Sequence, residues 1–184
     1  MRRIVGSAVL TVFIAFSAIW LAQNIRATSG VPLHLDILSA TIEDLPPIES
    51  SDVPSRQVAL RIKLAAAPLC NAATGALTYG FLIDSDKNPA TGDASAAFSD
   101  LGVDAQASMR CDPGSAAFTS PLGTVVVTTE QATGVTTLEL LTTVAQLPST
   151  DFRWIAFAQE TASFSRLPKE PDHGAWAILE RRLH

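Results

Sequence analysis

The chain has 184 residues, of which 47% are apolar and 17% charged, and its formal net charge is −5. So apolar a composition excludes a disordered chain, which needs low hydrophobicity and high net charge. The acid excess excludes nucleic acid as a partner, because that calls for a basic face.

Met1-Arg2-Arg3 opens a charged segment, and Ile4 to Ala22 follows without a charge. That length lies between a secretory signal core and a membrane-spanning helix, so two expectations stand. Either residues 1–27 form a signal peptide cleaved after Ala27, or they stay as a signal anchor in the inner membrane. Arg2 and Arg3 favour the cytoplasmic side in both cases, which carries residues 28 onward across. The expectation is a periplasmic or extracellular protein whose membrane contact is confined to this segment. Residues 28–32 read as a linker, and 33–184 as a single domain. That domain keeps all the acidic residues but loses Arg2, Arg3 and Arg26, which leaves it at −8.

The two cysteines are Cys70 and Cys111. In an oxidising compartment pairing is the expected state, with two buried thiols as the alternative. Chain-entropy reasoning gives such a bridge about 4 kcal/mol.

Period-two alternation dominates from Leu33 onward. Leu33, Leu35 and Ile37 alternate with His34 and Asp36, which predicts a strand over 33–37, and Asp44-Leu45-Pro46-Pro47 breaks the run. Val58–Leu64 is a clean half-buried strand. Leu77–Ile83 is apolar on both faces and so reads as central. Further strands are expected at Val103–Cys111, Ala117–Thr119, Gly123–Thr129, Val135–Leu141, Phe152–Gln159 and Gly174–Glu180. Glu130–Gly134 joins two of them as a hairpin turn. Only Thr142–Leu147 reads as helical. Eight or nine short strands with Pro and Gly in the turns predict an all-β fold, an antiparallel β-sandwich of jelly-roll-like form.

One segment carries chemistry. Asp84, Asp86 and Asn88 put oxygen-bearing side chains at alternate positions just after an apolar strand, and Asp93, Asp100 and Asp104 follow. Hard oxygens in such number suit calcium. The start is like an EF-hand loop, but Pro89 stands where that loop needs Gly, no Glu closes it, and no helices flank it. Asp and Asn are also turn formers, so a metal-free acidic turn is the competing explanation.

The run Tyr79-Gly80-Phe81-Leu82-Ile83-Asp84-Ser85-Asp86-Lys87-Asn88-Pro89-Ala90-Thr91-Gly92, then Leu101-Gly102-Val103-Asp104, resembles exported bacterial β-sandwiches of the DOMON-like and family 9 carbohydrate-binding-module type. The resemblance covers residues 77–107. It implies a sandwich fold and a calcium-holding loop, with Asp84, Asp86, Asn88 and Asp104 as matching ligands. It also implies a glycan partner. The chain departs from the pattern at Ala105, where an aromatic residue is common. Sugar binding needs exposed ring faces, and Tyr79, Trp154 and Trp176 are the candidates, although sandwiches commonly bury such residues between their sheets.

Nucleophile signatures such as Gly-x-Ser-x-Gly are absent. Asp172-His173 reads as an exposed turn, and Glu160 with Asp172 is an unspecific carboxylate pair. The leading expectation is a non-catalytic binding module, with carbohydrate as its ligand class. The alternative is a structural or protein-interaction domain of the cell envelope with no small-molecule ligand, and a glycan hydrolase ranks third.

Overall fold

The computed structural model describes residues 31–46, 56–70, 75–93, 101–115, 117–160, 163–167 and 174–177. The expected signal or anchor, most of the 28–32 linker, Asp100, Asp172 and His173 lie outside them. Among the described residues no helix is long and apolar enough to cross a membrane.

Nine strands form in chain order: β1 Ile37–Asp44, β2 Gln57–Leu64, β3 Leu77–Asp84, β4 Ala105–Cys111, β5 Thr124–Thr129, β6 Thr136–Thr143, β7 Asp151–Glu160, β8 Ser163–Leu167 and β9 Gly174–Ala177. All their pairings are antiparallel. One sheet runs β1-β2-β6-β5. The other runs β4-β3-β7-β8, and β9 joins the same edge of β7 further along. The expected antiparallel sandwich is therefore present, and β3 is central, between β4 and β7.

Alternation explains the core. Val58, Leu60, Ile62 and Leu64 of β2 face inward with Leu138 and Leu140 of β6. From the other sheet come Leu77, Tyr79, Phe81 and Ile83 of β3, Met109 of β4, and Phe152, Trp154, Ala156 and Ala158 of β7. Period-two burial of this kind is what a sandwich imposes on strands.

Each sheet is sewn from local hairpins along one non-local seam, β2–β6 in the first and β3–β7 in the second. Each seam carries an ion pair on its outer face. Arg61 of β2 binds Glu139 of β6, and also Glu43 of β1. Arg153 of β7 binds Asp84 of β3. The Glu139 contact and the two carboxylates together raise the Arg61 pKa.

Several expected boundaries differ. The first strand starts at Ile37 rather than Leu33, because Pro32 opens a turn: Leu35 N–H donates to Pro32 O at 2.8 Å and Asp36 N–H to Leu33 O at 3.2 Å. The strand then continues to Asp44, where the acidic-proline break was expected. Ala117–Thr119 is not a strand but a single bridge from Thr119 to Arg110. The helical reading of Thr142–Leu147 shrinks to a 3-10 turn at Val144–Gln146, since Thr142 and Thr143 complete β6. Strand β8 was not expected, because Ser163-Phe164-Ser165-Arg166-Leu167 is short and half polar.

Cys70 and Cys111 are bonded, with Cα atoms 5.8 Å apart. The bridge ties the segment after β2, in the first sheet, to the end of β4, in the second. Replacing both cysteines with serine should lower stability by about 2–4 kcal/mol and the melting temperature by several degrees. Thermal unfolding of the two proteins under non-reducing conditions measures it, and equal midpoints would refute the staple.

Candidate metal centre

On the outer face of the second sheet, Leu82 of β3 lies beside Ile155 and Phe157 of β7, and this apolar patch requires a cover. Residues 101–103 supply it. Leu101 is buried against Leu82 of β3 and Ile155 and Phe157 of β7, with Val103 packed alongside. Returning across the sheet in this way brings Asp104 back beside the end of β3, where Asp104 N–H donates to Ile83 O at 2.9 Å. Sequence-distant carboxylates meet there because an apolar face had to be covered.

Glycines set the close fit of this return. Gly102 has φ +70°, and a Cβ there would stand 2.5 Å from Asn88 O. Gly92 has φ +72°, and its Cβ would stand 2.5 Å from Val103 O. Any side chain at either position would force the two limbs of the loop apart.

Asp84, Asp86 and Asp104 each direct a carboxylate oxygen into one cluster, all within 4.8 Å of one another, and together they can hold a metal ion. Asp84 is fully buried, while Asp86 and Asp104 are exposed. Asp104 Oδ2 accepts from Ser85 N–H at 2.9 Å and from Ser85 Oγ at 2.7 Å. Asp86 accepts from Asn88 N–H at 2.9 Å and from Thr91 Oγ1 at 2.8 Å. The Thr91 hydroxyl first, then the Asn88 N–H, holds the Asp86 carboxyl below its ordinary range. Asn88 N–H also reaches Asp84 Oδ1 at 3.2 Å.

Asn88 was expected as a ligand through its side chain. The structure gives that side chain a turn role, with Oδ1 accepting from Ala90 N–H at 3.1 Å. Asp93 pairs with Val103 across the loop and takes no part in the carboxylate cluster.

The charge balance is informative. Arg153 neutralises Asp84 from the strand side, while Lys87 is engaged by Asp151. Three carboxylates with one bound guanidinium leave about two negative charges in a small volume, which matches a divalent cation. Among the described residues no His or Cys joins the cluster, so the donor set is hard oxygen rather than the softer set that transition metals favour.

Two of the expected sugar-stacking residues lie elsewhere. Tyr79 is fully buried; its hydroxyl donates to His34 O at 2.9 Å and its ring meets Phe118 edge-on at 5.6 Å. Burial pushes its phenol pKa well up. Trp154 is 8% exposed and sits edge-on to Phe81 at 5.3 Å. Neither ring presents a face to solvent, because each shares the inward parity of its strand. Trp176 lies in β9 opposite Phe152. Glu160, considered above as half of a carboxylate pair, contacts His34 Nε2 at 3.2 Å.

Arg153 was not among the residues expected at the site. Only the β3–β7 register, which sets Asp84 against Arg153, reveals it. No family model, curated protein or solved structure matches this chain.

Two outcomes follow for calcium-free protein. Arg153→Met should cost about 3–5 kcal/mol, since it strands a buried carboxylate. Adding Asp84→Asn should recover part of that loss; a double variant as unstable as the sum of the singles would show that the pair is not coupled. Gly102→Ala should cost about 1–3 kcal/mol through its positive φ and the Asn88 contact. Urea unfolding measures each variant, and a neutral Gly102→Ala would mean that the loop does not lie closed on the sheet.

Proposed function

We propose that this chain is an exported, non-catalytic β-sandwich, a structural or protein-interaction domain of the cell envelope whose 84–104 loop is fastened by calcium. The carboxylate cluster of Asp84, Asp86 and Asp104 carries the calcium part of this reading. Hydrogen bonds within the loop already satisfy much of its turn chemistry, but they leave like charges crowded against one another. A divalent cation relieves that repulsion and locks the return strand to β3.

The burial of Tyr79 and Trp154 favours a protein-facing role over a glycan-facing one. A sugar ring needs a flat apolar face to stack on, and these two rings are spent on the core. Export rests on the sequence of residues 1–27, with Arg2 and Arg3 held inside, and on the suitability of a disulfide-bonded fold for an oxidising compartment.

Calcium should raise the melting temperature and a chelator should lower it again. A ligand at a hundred times its dissociation constant adds about 2.7 kcal/mol to the folded state. Asp86→Ala should abolish the calcium response. If the chelator changes nothing, or if Asp86→Ala keeps the response or is stabilising in calcium, the loop is only a turn.

Affinity electrophoresis against a panel of soluble polysaccharides tests the role itself. No retardation is expected. Retardation that is lost on Trp176→Ala would replace the interaction reading with carbohydrate binding.

A further inference from the structure

We infer that β5 is an interface through which two copies of this chain pair, edge to edge. The inference names the partner for the interaction reading above and rests on it.

The first observation is an unguarded edge. Among the described residues strand β5 ends its sheet and is bonded only to β6. It reads Thr-Val-Val-Val-Thr-Thr and is exposed along its length except at Val125. An edge strand presents a row of N–H and C=O groups to any strand that approaches, and proteins blunt it with charge, proline, bulges or a cover. Other edges here have such devices. The β1 edge carries Glu43, Asp44 and a register shift between Ile37 and Ser39. The β4 edge carries Arg110 and is partly taken by Thr119. Strand β5 has six β-branched residues in unbroken register, with no charge and no proline.

The second observation is where the exposed apolar side chains fall. The exposed large hydrophobics among the described residues are Leu69, Val126 and Val127. Two belong to β5. Leu69 lines a shallow groove with Val127, Pro68 and Phe118. A strand laid along β5 would cover apolar surface on both faces of the edge.

Self-complementarity selects the occupant, and the absence of charge on this strand permits it. The chain carries 18 acidic residues against 13 basic ones, so two copies repel over most approaches. Strand β5 is a neutral strip. Antiparallel pairing about a two-fold axis at Val126 sets Thr124 against Thr128 and Glu130 against Leu122, so no carboxylate opposes another. The contact is self-complementary and closes as a dimer rather than a fibre. The product is one eight-stranded sheet in the order β1-β2-β6-β5-β5-β6-β2-β1.

Sedimentation velocity of the full-length chain in a non-ionic detergent, with calcium present, tests this. The wild type should pass from monomer to dimer as concentration rises. Val126→Lys, on the exposed outer face, should remain monomeric with an unchanged melting temperature, and Glu43→Lys on the β1 edge should still dimerise. Val126→Cys in an otherwise unaltered chain should give a disulfide-linked dimer on a non-reducing gel, because the axis brings residue 126 onto its copy; Thr41→Cys should not. A wild type that is monomeric throughout, a dimer that survives Val126→Lys, or no linkage through Val126→Cys overturns the proposal. The two readings fail separately: a monomer that binds no polysaccharide defeats only the pairing, whereas polysaccharide retardation defeats the interaction role.

Discussion

Strand β3 has to be covered twice. Its sequence, Leu77-Thr78-Tyr79-Gly80-Phe81-Leu82-Ile83-Asp84, turns four large apolar residues to the core and sets Leu82 and Asp84 on the other face, and seven of its eight residues are buried. The facing sheet covers one side, through Leu60, Ile62 and Leu138 among others. On the other side, among the described residues, Leu101 and Val103 cover Leu82 together with Ile155 and Phe157. Burying a cluster of that size is worth several kcal/mol, at roughly 1.5–3 kcal/mol per large side chain. That gain holds residues 101–104 against the sheet, and their placement is what brings Asp104 to Asp84 and Asp86. The carboxylate cluster is thus a by-product of hydrophobic coverage, and any ion held there would act on the same segment as the sheet packing.

Asp84 sits where the two requirements meet. It ends β3 with no exposed surface and is held by Arg153. A buried ion pair gains little over an apolar pair of similar shape, but losing one partner is expensive. Its value here is positional. One carboxylate oxygen is committed to the guanidinium, and the other is turned toward the loop, where Asn88 N–H meets it. Arg153 therefore acts as an orienting support for Asp84 without belonging to the carboxylate cluster.

Much of this was legible in the sequence, and what was not has physical reasons. Two-sided apolarity marked β3 as central, and the alternate acids marked the loop. Parity would also have settled the aromatic residues, since Tyr79 shares its face with Leu77 and Phe81, and Trp154 shares its face with Phe152 and Ala156. The partner of Asp84 was hidden, because Arg153 lies 69 residues away and only strand register brings it near. The start of β1 was misplaced because Leu33 and Leu35 alternate convincingly, while the turn that Pro32 initiates leaves no mark in a hydrophobic pattern. Strand β8 was missed for the opposite reason, being too short and too polar to show a period.

The arrangement of strands has a kinetic consequence. The hairpins β1–β2, β3–β4, β5–β6 and β7–β8 join neighbours in sequence, and such units form in about 1–10 μs. The seams β2–β6 and β3–β7 join segments far apart, as the sequence separation of 78 between Arg61 and Glu139 shows. Closing loops of that length before any seam contact forms is entropically uphill, so folding falls in the slow millisecond-to-second class of sandwich domains. The hairpins would then exist for most of that time as separate pieces with open edges. The ion pairs that cross the seams mature only when both halves of each sheet have found one another, which places them late on the pathway, where they slow unfolding more than they speed folding.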